Sequence, residues 1–219
     1  MGATENTDME QRILSAAKQV FIEKGFSETS MNDIAVRVGI NRSGLHYYFR
    51  TKERMFEAVY GDIVLSFIPS IHDIILQDKP LKECLSDMID IYFDLFTREP
   101  GFPLFVIREI QRNSDYMFKM IRELGIVQYA EDVAAKLHKD MEKGVIRPVP
   151  LEFLVYTFFG LTAVPFLSMP LSQKVLQNCG RCFTDELEAW KPYVVSQMEH
   201  LLTGRPESDG APEGDDKRD

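Results

Sequence analysis

Between residues 31 and 54 the chain carries five bases, Arg37, Arg42, Arg50, Lys52 and Arg54, against two acids, Asp33 and Glu53, a local net of +3. The whole chain of 219 residues has a formal net charge of -9. A basic island on an acidic protein is the electrostatic footprint that phosphate backbones require, whereas a uniformly cationic protein that coats nucleic acid or acidic lipid is excluded. His46, Tyr47 and Tyr48 lie among those bases. Their polar tips can reach phosphates or base edges while the rings stay partly packed. Arg42 offers a fork of donors that fits a guanine edge or a phosphate. A second chemical signal is Cys179-Gly-Arg-Cys182, which could be redox-active or half of a metal site. One further cysteine, Cys84, and no His-x-His nearby leave a structural zinc set incomplete, so the thiols read as inert or as a dithiol switch. Catalysis finds no support. His46, His72, His138 and His200 are scattered, and neither a glycine-rich phosphate loop nor a nucleophile motif is present.

These residues sit on helices, because helical periodicity dominates and strand alternation is nearly absent. A first helix is expected from the capping box Thr7-x-x-Glu10, through Ile13, Ala16, Ala17, Val20 and Phe21, to a stop at Gly25. Ser30 with Asp33 caps a short helix ended by Gly39, and Asn41 caps another over residues 42–48. The spacing of Ala35, Gly39 and Leu45 supplies a small residue at a helix crossing, a turn glycine and an apolar anchor. Thr51 precedes a helix expected to reach about residue 77, with Pro69 bending it. Further helices are expected over 81–98, 103–111, 115–143 with Gly125 inside, 151–164, and 184–202 with Pro192 as a kink or a late start. Residues 204–219, with six acids, three bases and almost no apolar side chain, read as a disordered acidic tail.

Residues 153–172 contain no charge, yet Pro165 and Pro170 interrupt the run, and its continuous part is too short to span a bilayer. It reads as a core or interface helix, with no membrane partner. Three cysteines and the leader-free start MGATENTDMEQ point to a reducing cytoplasm.

The stretch from Gly25 to Val59 resembles the DNA-binding region of the TetR family of bacterial transcriptional regulators. The matching residues are Gly25-Phe26, Thr29-Ser30, Ile34-Ala35, Gly39-Ile40, Leu45, Phe49 and Lys52-Glu53. The chain departs from the family at the usual recognition-helix tyrosine, which is His46. The resemblance implies an all-α protein with a helix-turn-helix DNA-binding domain at residues 1–50 and a ligand-binding and dimerisation domain at 51–203. It implies a ligand-responsive regulator, a repressor released from operator DNA by a small apolar or aromatic effector, with no cofactor or metal and no enzymatic activity. The alternative is a helical ligand- or partner-binding or redox-sensing protein that does not bind DNA.

On that reading Thr29, Ser30, Arg42, Ser43, Gly44, His46, Tyr47, Tyr48 and Lys52 are the DNA-binding candidates. Arg42, Ser43, Gly44 and Tyr47 face the major groove, and His46, Tyr48 and Lys52 lie nearer phosphates. Phe67, Ile71, Phe93, Phe96, Phe105, Met117, Met120 and Tyr129 are expected at the effector, with Arg108, Glu109, His72 and Asp94 as polar candidates. Phe153, Tyr156, Phe159, Gly160, Leu187, Trp190, Val194 and Met198 are expected at a homodimer interface.

Overall fold

The computed structural model describes residues 2–77 and 79–204, and among these it consists of helices joined by turns and short irregular segments, with no strand. The expected acidic tail, beyond Gly204, lies outside the described residues. The first helix, α1 (Gly2–Glu28), begins five residues before the expected start at Thr7. Nothing in Ala3-Thr4-Glu5 opposes a helix, so a box of capping residues does not by itself fix a start. At Gly25 the backbone leaves helical geometry (φ 77°, ψ 173°), a conformation that a Cβ would strain, and the chain swings toward the next element.

Helix α2 (Met31–Val38) starts on the expected capping box, in which Ser30 Oγ accepts from the Asp33 amide at 3.1 Å and Asp33 Oδ2 accepts from the Ser30 amide at 2.8 Å. It ends at Gly39 in the left-handed conformation. Helix α3 (Arg42–Tyr48) is capped by Asn41, and Thr51 caps α4 (Lys52–Leu65). Ile13, Ala17, Phe21, Ile34, Leu45, Met55 and Phe56 are buried together, so α1, the short helices α2 and α3, and the start of α4 share one core.

The expected helix from 52 to about 77 is two helices, α4 and α5 (Ile68–Ile75), separated at Ser66 and Phe67. The proline acts upstream of its own position: the ring of Pro69 would meet the carbonyl of Leu65, four residues back, and α4 ends there. Helix α6 (Leu81–Arg98) has the expected bounds. Pro80 cannot cap it with a side chain, and the buried Asp140 does so from another helix, Oδ2 accepting from the Leu81 amide at 2.9 Å. Helix α7 (Phe102–Arg112) follows. The expected helix 115–143 is again two, α8 (Ser114–Glu123) and α9 (Ile126–Glu142), because Gly125 takes φ 74°. Helix α10 (Leu151–Leu167) continues three residues past the expected end, through Pro165. Helix α11 (Met169–Asn178) has no counterpart in the sequence reading, and α12 (Phe183–Thr203) runs through Pro192.

The charge-free run 153–172 thus folds as α10 and the start of α11, which are bent by 63°. Lys52–Ile75 is also long and apolar enough to cross a membrane, but its Met55, Phe56 and Ile63 lie in the core. The body is built by α12 packing on α6 and α10, with α5 against α6 and α9. Helix α1 packs on α7, which joins the amino-terminal helices to that body.

Candidate nucleic-acid interface and effector pocket

The exposed side of α3 presents Arg42, Ser43 and Tyr47, with Tyr47 75% exposed. Asn41 Oδ1 accepts from the Gly44 amide at 2.7 Å and the Ser43 hydroxyl at 2.8 Å, which ties the first turn to its cap. The Arg50 carbonyl lies 3.1 Å from His46 Nδ1, so that nitrogen carries the proton and Nε2 accepts from Arg42 Nε at 3.3 Å. His46 therefore orients Arg42, a role not foreseen for it. Tyr48 is half-buried and meets the Tyr47 ring edge-on at 5.1 Å.

Three of the expected DNA contacts are engaged within the protein. Thr29 is buried, and its hydroxyl donates to the Gly25 carbonyl at 2.7 Å. Ser30 Oγ serves the capping box. Lys52 Nζ turns inward and donates to the carbonyls of Phe26 (2.8 Å) and Thr29 (2.9 Å), 4.3 Å from the Phe26 ring centre. A helix end leaves carbonyls without partners, and this ammonium satisfies them, so Lys52 belongs to the scaffold and not to the phosphate surface. Arg37 is paired with Glu23 at 2.8 Å. The basic island thereby narrows to Arg42, Arg50 and Arg54, the last 3.5 Å from Glu57.

Beneath this surface, Glu109 of α7 is 1% exposed. Its Oε1 accepts from the Phe26 amide at 2.8 Å, and its Oε2 accepts from Arg112 Nε at 2.6 Å. The Arg112 guanidinium lies over the Phe26 ring at 4.3 Å. Phe26 is thus held from both sides, by α7 and by Lys52 of α4, at the turn where α1 gives way to α2. The junction is tightened by the Lys18–Glu99 ion pair at 2.6 Å, and by Gly101, where any Cβ would overlap the Ile22 side chain. Glu109 is accordingly a clamp residue and not an effector-facing one. Of the other polar candidates, Asp94 pairs with Arg98 and His72 with Asp132, each at 2.6 Å.

A cavity of about 490 Å³ is walled mainly by α4, α6, α7 and α10, with Ile68 of α5, Ile121 of α8 and Ile126 of α9. Phe67 and Phe96 line it as expected. Ile71, Phe93, Phe105, Met117 and Met120 are buried core side chains that do not line it, and Tyr129 sets its ring against His72 at 4.6 Å. Phe102, one of the aromatic residues crowding the middle helices, also lines it, and much of the remaining wall comes from residues not expected at the effector, among them Tyr60, Tyr92, Val106, Ile110 and Ile126. Helical periodicity marks apolar faces, but it does not say which faces stop short of touching one another.

On α10, Phe153, Tyr156, Phe159 and Gly160 are exposed, Tyr156 by 71%, and Phe159 and Gly160 also border the cavity. Leu187, Val194 and Met198 are instead buried within the chain and leave the list of interface residues, since that stripe of α12 faces the body. Trp190 is half-buried and donates from Nε1 to the Leu161 carbonyl at 3.0 Å. A groove of about 830 Å³ runs between α10, α11 and α12, and its walls include Val164, Leu171, Val175 and Tyr193, all exposed. Cys179 and Cys182 are exposed free thiols at the α11–α12 turn. Hydrogen bonds at the start of α12, from the Thr184 and Asp185 amides, hold the Cys182 thiol below its ordinary range. The described residues contain no cluster that could hold a metal ion.

A short capped helix held across a turn from a second, with an exposed arginine-bearing face on an all-helical body, defines a helix-turn-helix protein. Residues 13–59 match the family described as bacterial regulatory proteins, tetR family. The HTH-type transcriptional repressor BdcR of Escherichia coli (strain K12) is 32% identical over 79 residues, 36% of this chain and 40% of that protein. The HTH-type transcriptional regulator YerO of Bacillus subtilis (strain 168) is 26% identical over 58% of this chain and 48% of its own length. The chain therefore spans less than half the length of either of these curated relatives. Among solved structures, the transcriptional regulator FadR from Bacillus subtilis, in complex with stearoyl-CoA, superposes with a TM-score of 0.65 over 90% of this chain and 99% of that one, at 18% identity, a likeness of fold. The amino-terminal unit, residues 13–59, is thus that of the TetR family of bacterial regulatory proteins.

Proposed function

We propose that the protein is a non-enzymatic, dimeric, sequence-specific DNA-binding regulator of the cytoplasm, a repressor that a small apolar compound releases from its operator. Residues 1–50 form the reading head, and residues 51–203 the ligand-binding and dimerising body. The observation that carries this reading is the double use of α7. Its Phe102, Val106, Ile107 and Ile110 line the cavity, while its Glu109 holds the Phe26 amide at the base of the head. A compound that shifts α7 acts on the head directly. In a dimer joined through the exposed face of α10 and the neighbouring groove, that shift changes the separation of the two α3 helices, which must match half-sites about one helical turn, ~34 to 36 Å, apart or a multiple of it.

The names and titles of the relatives agree with this: BdcR is a repressor, and FadR was solved with an acyl-CoA bound. The alternative, a helical binding or redox protein without DNA, leaves the capped α3 and its arginine face without a purpose. Selection from random duplex DNA is the test, and an enriched imperfect palindrome is expected. Arg42→Ala should relax the preference at one base position if the arginine reads a base, or lower the magnitude of the salt slope by about one if it binds a phosphate. A selection with no enriched sequence would sink the proposal.

A further inference from the structure

The cavity wall is unusual in what it omits. Eighteen of the described residues line it, none of them charged, and the only side-chain heteroatoms among these are the hydroxyls of Tyr60 on α4 and Tyr92 on α6. Tyr60 is 5% exposed and Tyr92 is half-buried, and neither hydroxyl is hydrogen-bonded to another described residue. Neither hydroxyl oxygen is fully enclosed, and a hydroxyl on an apolar cavity wall with no protein partner marks where a ligand atom would be welcome. Their positions are fixed before any ligand arrives. The Tyr92 ring is enclosed edge-to-face by Phe67 (5.5 Å), Phe96 (5.8 Å), Phe158 (4.9 Å) and Phe159 (5.7 Å), and the Tyr60 ring lies beside Phe56 and Phe105.

We propose that this cavity takes an uncharged, largely apolar compound carrying a single hydrogen-bond-accepting oxygen, a ketone-like or ester-like carbonyl, which accepts from the Tyr60 and Tyr92 hydroxyls and so bridges α4 and α6. Burial pushes the Tyr60 phenol up to about 12 and the Tyr92 phenol still higher, so both keep their protons and act as donors. An anionic head in the same place would lose its water with no cation among the lining residues to replace it. Wholly apolar compounds would fill the space and leave both hydroxyls unpaired.

The inference rests on the cavity being the effector site of the proposed regulator, and its test separates the two. Three probes of one length, 2-undecanone, undecane and undecanoate at pH 8, are titrated into the full-length protein by calorimetry, and operator affinity is measured with each. The ketone is expected to bind most tightly. Tyr60→Phe and Tyr92→Phe should each weaken the ketone roughly 5- to 10-fold, the loss of about one hydrogen bond, and leave undecane unchanged. Because neither hydroxyl has a partner to lose, both variants should be at least as stable as the parent without ligand. Equal binding of ketone and alkane, preference for the carboxylate, no binding of the ketone, or Phe variants that bind the ketone normally would each overturn the proposal. Tyrosine-dependent ketone binding with operator affinity unchanged would uphold the pocket chemistry while removing the regulatory reading.

Discussion

The junction beneath the reading head and the cavity in the body are neighbours on α7, and they are built on opposite rules. At the junction every polar group is close to a partner: Glu109 holds an amide and a guanidinium, Lys52 holds two carbonyls, and Thr29 closes the turn at Gly25. One atom, Arg112 Nη2, is buried without one. In the cavity the wall is apolar, and its two hydroxyls are free. A polar network so nearly satisfied favours one geometry, because a displacement leaves further charges unpaired. An apolar wall tolerates many shapes. The contrast places rigidity where position must be transmitted and tolerance where a ligand must be admitted, with Glu109 next to the wall residue Ile110 and about one helical turn from Val106.

The sharpest way to break this comparison is Glu109→Ala. It leaves the Arg112 guanidinium and the Phe26 amide without their acceptor in a buried site, and a loss of ~3 to 5 kcal/mol is expected in urea denaturation. Glu109→Gln, which keeps a carbonyl for the amide, should lose less. If the Gln variant still binds ligand but no longer loses operator affinity upon binding, α7 is the transmitting element. A loss below about 1 kcal/mol for the Ala variant would make the clamp incidental.

Lys52→Met should be next in size, at ~1.5 to 3 kcal/mol for hydrogen bonds from a charged donor. Its effect on DNA distinguishes scaffold from surface. If Lys52 supports the turn, the logarithmic dependence of operator affinity on salt keeps its slope, whereas Arg50→Ala lowers the magnitude of that slope by about one for a lost phosphate contact. A reduced slope for Lys52→Met would return the residue to the phosphate surface.

The two regions also differ in how far the amino-acid sequence revealed them. The head is made of contacts three or four residues apart, Ser30 with Asp33, Asn41 with Gly44 and Thr51 with Arg54, so its caps, its turn and its helix bounds are readable from spacing alone. The cavity is assembled from α4, α6, α7 and α10, and whether an apolar residue lines it or packs depends on partners forty to a hundred positions away. Phe105 and Val106 are adjacent and equally apolar, yet only Val106 reaches the space. The direction of Lys52 was hidden for the same reason, since the carbonyls it meets belong to residues 26 and 29. On α12 the stripe of Leu187, Val194 and Met198 was legible as apolar, while the identity of what covers it was not. Helix α11 escaped notice because none of its residues is buried, which leaves no burial periodicity to read.

Within the head, Asn41→Ala should cost ~1 kcal/mol, the typical value of an N-cap, because the Gly44 amide loses its acceptor. Helix α3 has only seven residues, so the expected consequence for operator affinity is larger than that for global stability. Equal losses in both would mean that α3 is held by Leu45 packing and needs no cap.

The smallest effect, and the one most confined to the head, is the acid response of Asp33. Hydrogen bonds from the Ser30 hydroxyl and amide, with Lys24 at 3.2 Å, lower its carboxyl from the ordinary 3.8 to about 2. A group held lower in the folded state than in the unfolded one binds protons first in the unfolded chain, so folding is favoured above the unfolded value. That contribution is fully present above about pH 4 and disappears as the pH falls through about 2, when the folded carboxyl is protonated as well. Asp33→Asn retains an oxygen for the Ser30 amide but has no charge to titrate. The stability difference between parent and variant, measured by denaturant titration from pH 5 to pH 2, should therefore shrink steadily through that window and stay flat above it. Because Asp33 is solvent-exposed and its partners are local, the change should be small and screened by added salt. A difference that persists unchanged down to pH 2 would show that the capping box acts through its shape alone and that the charge on Asp33 contributes nothing to the head.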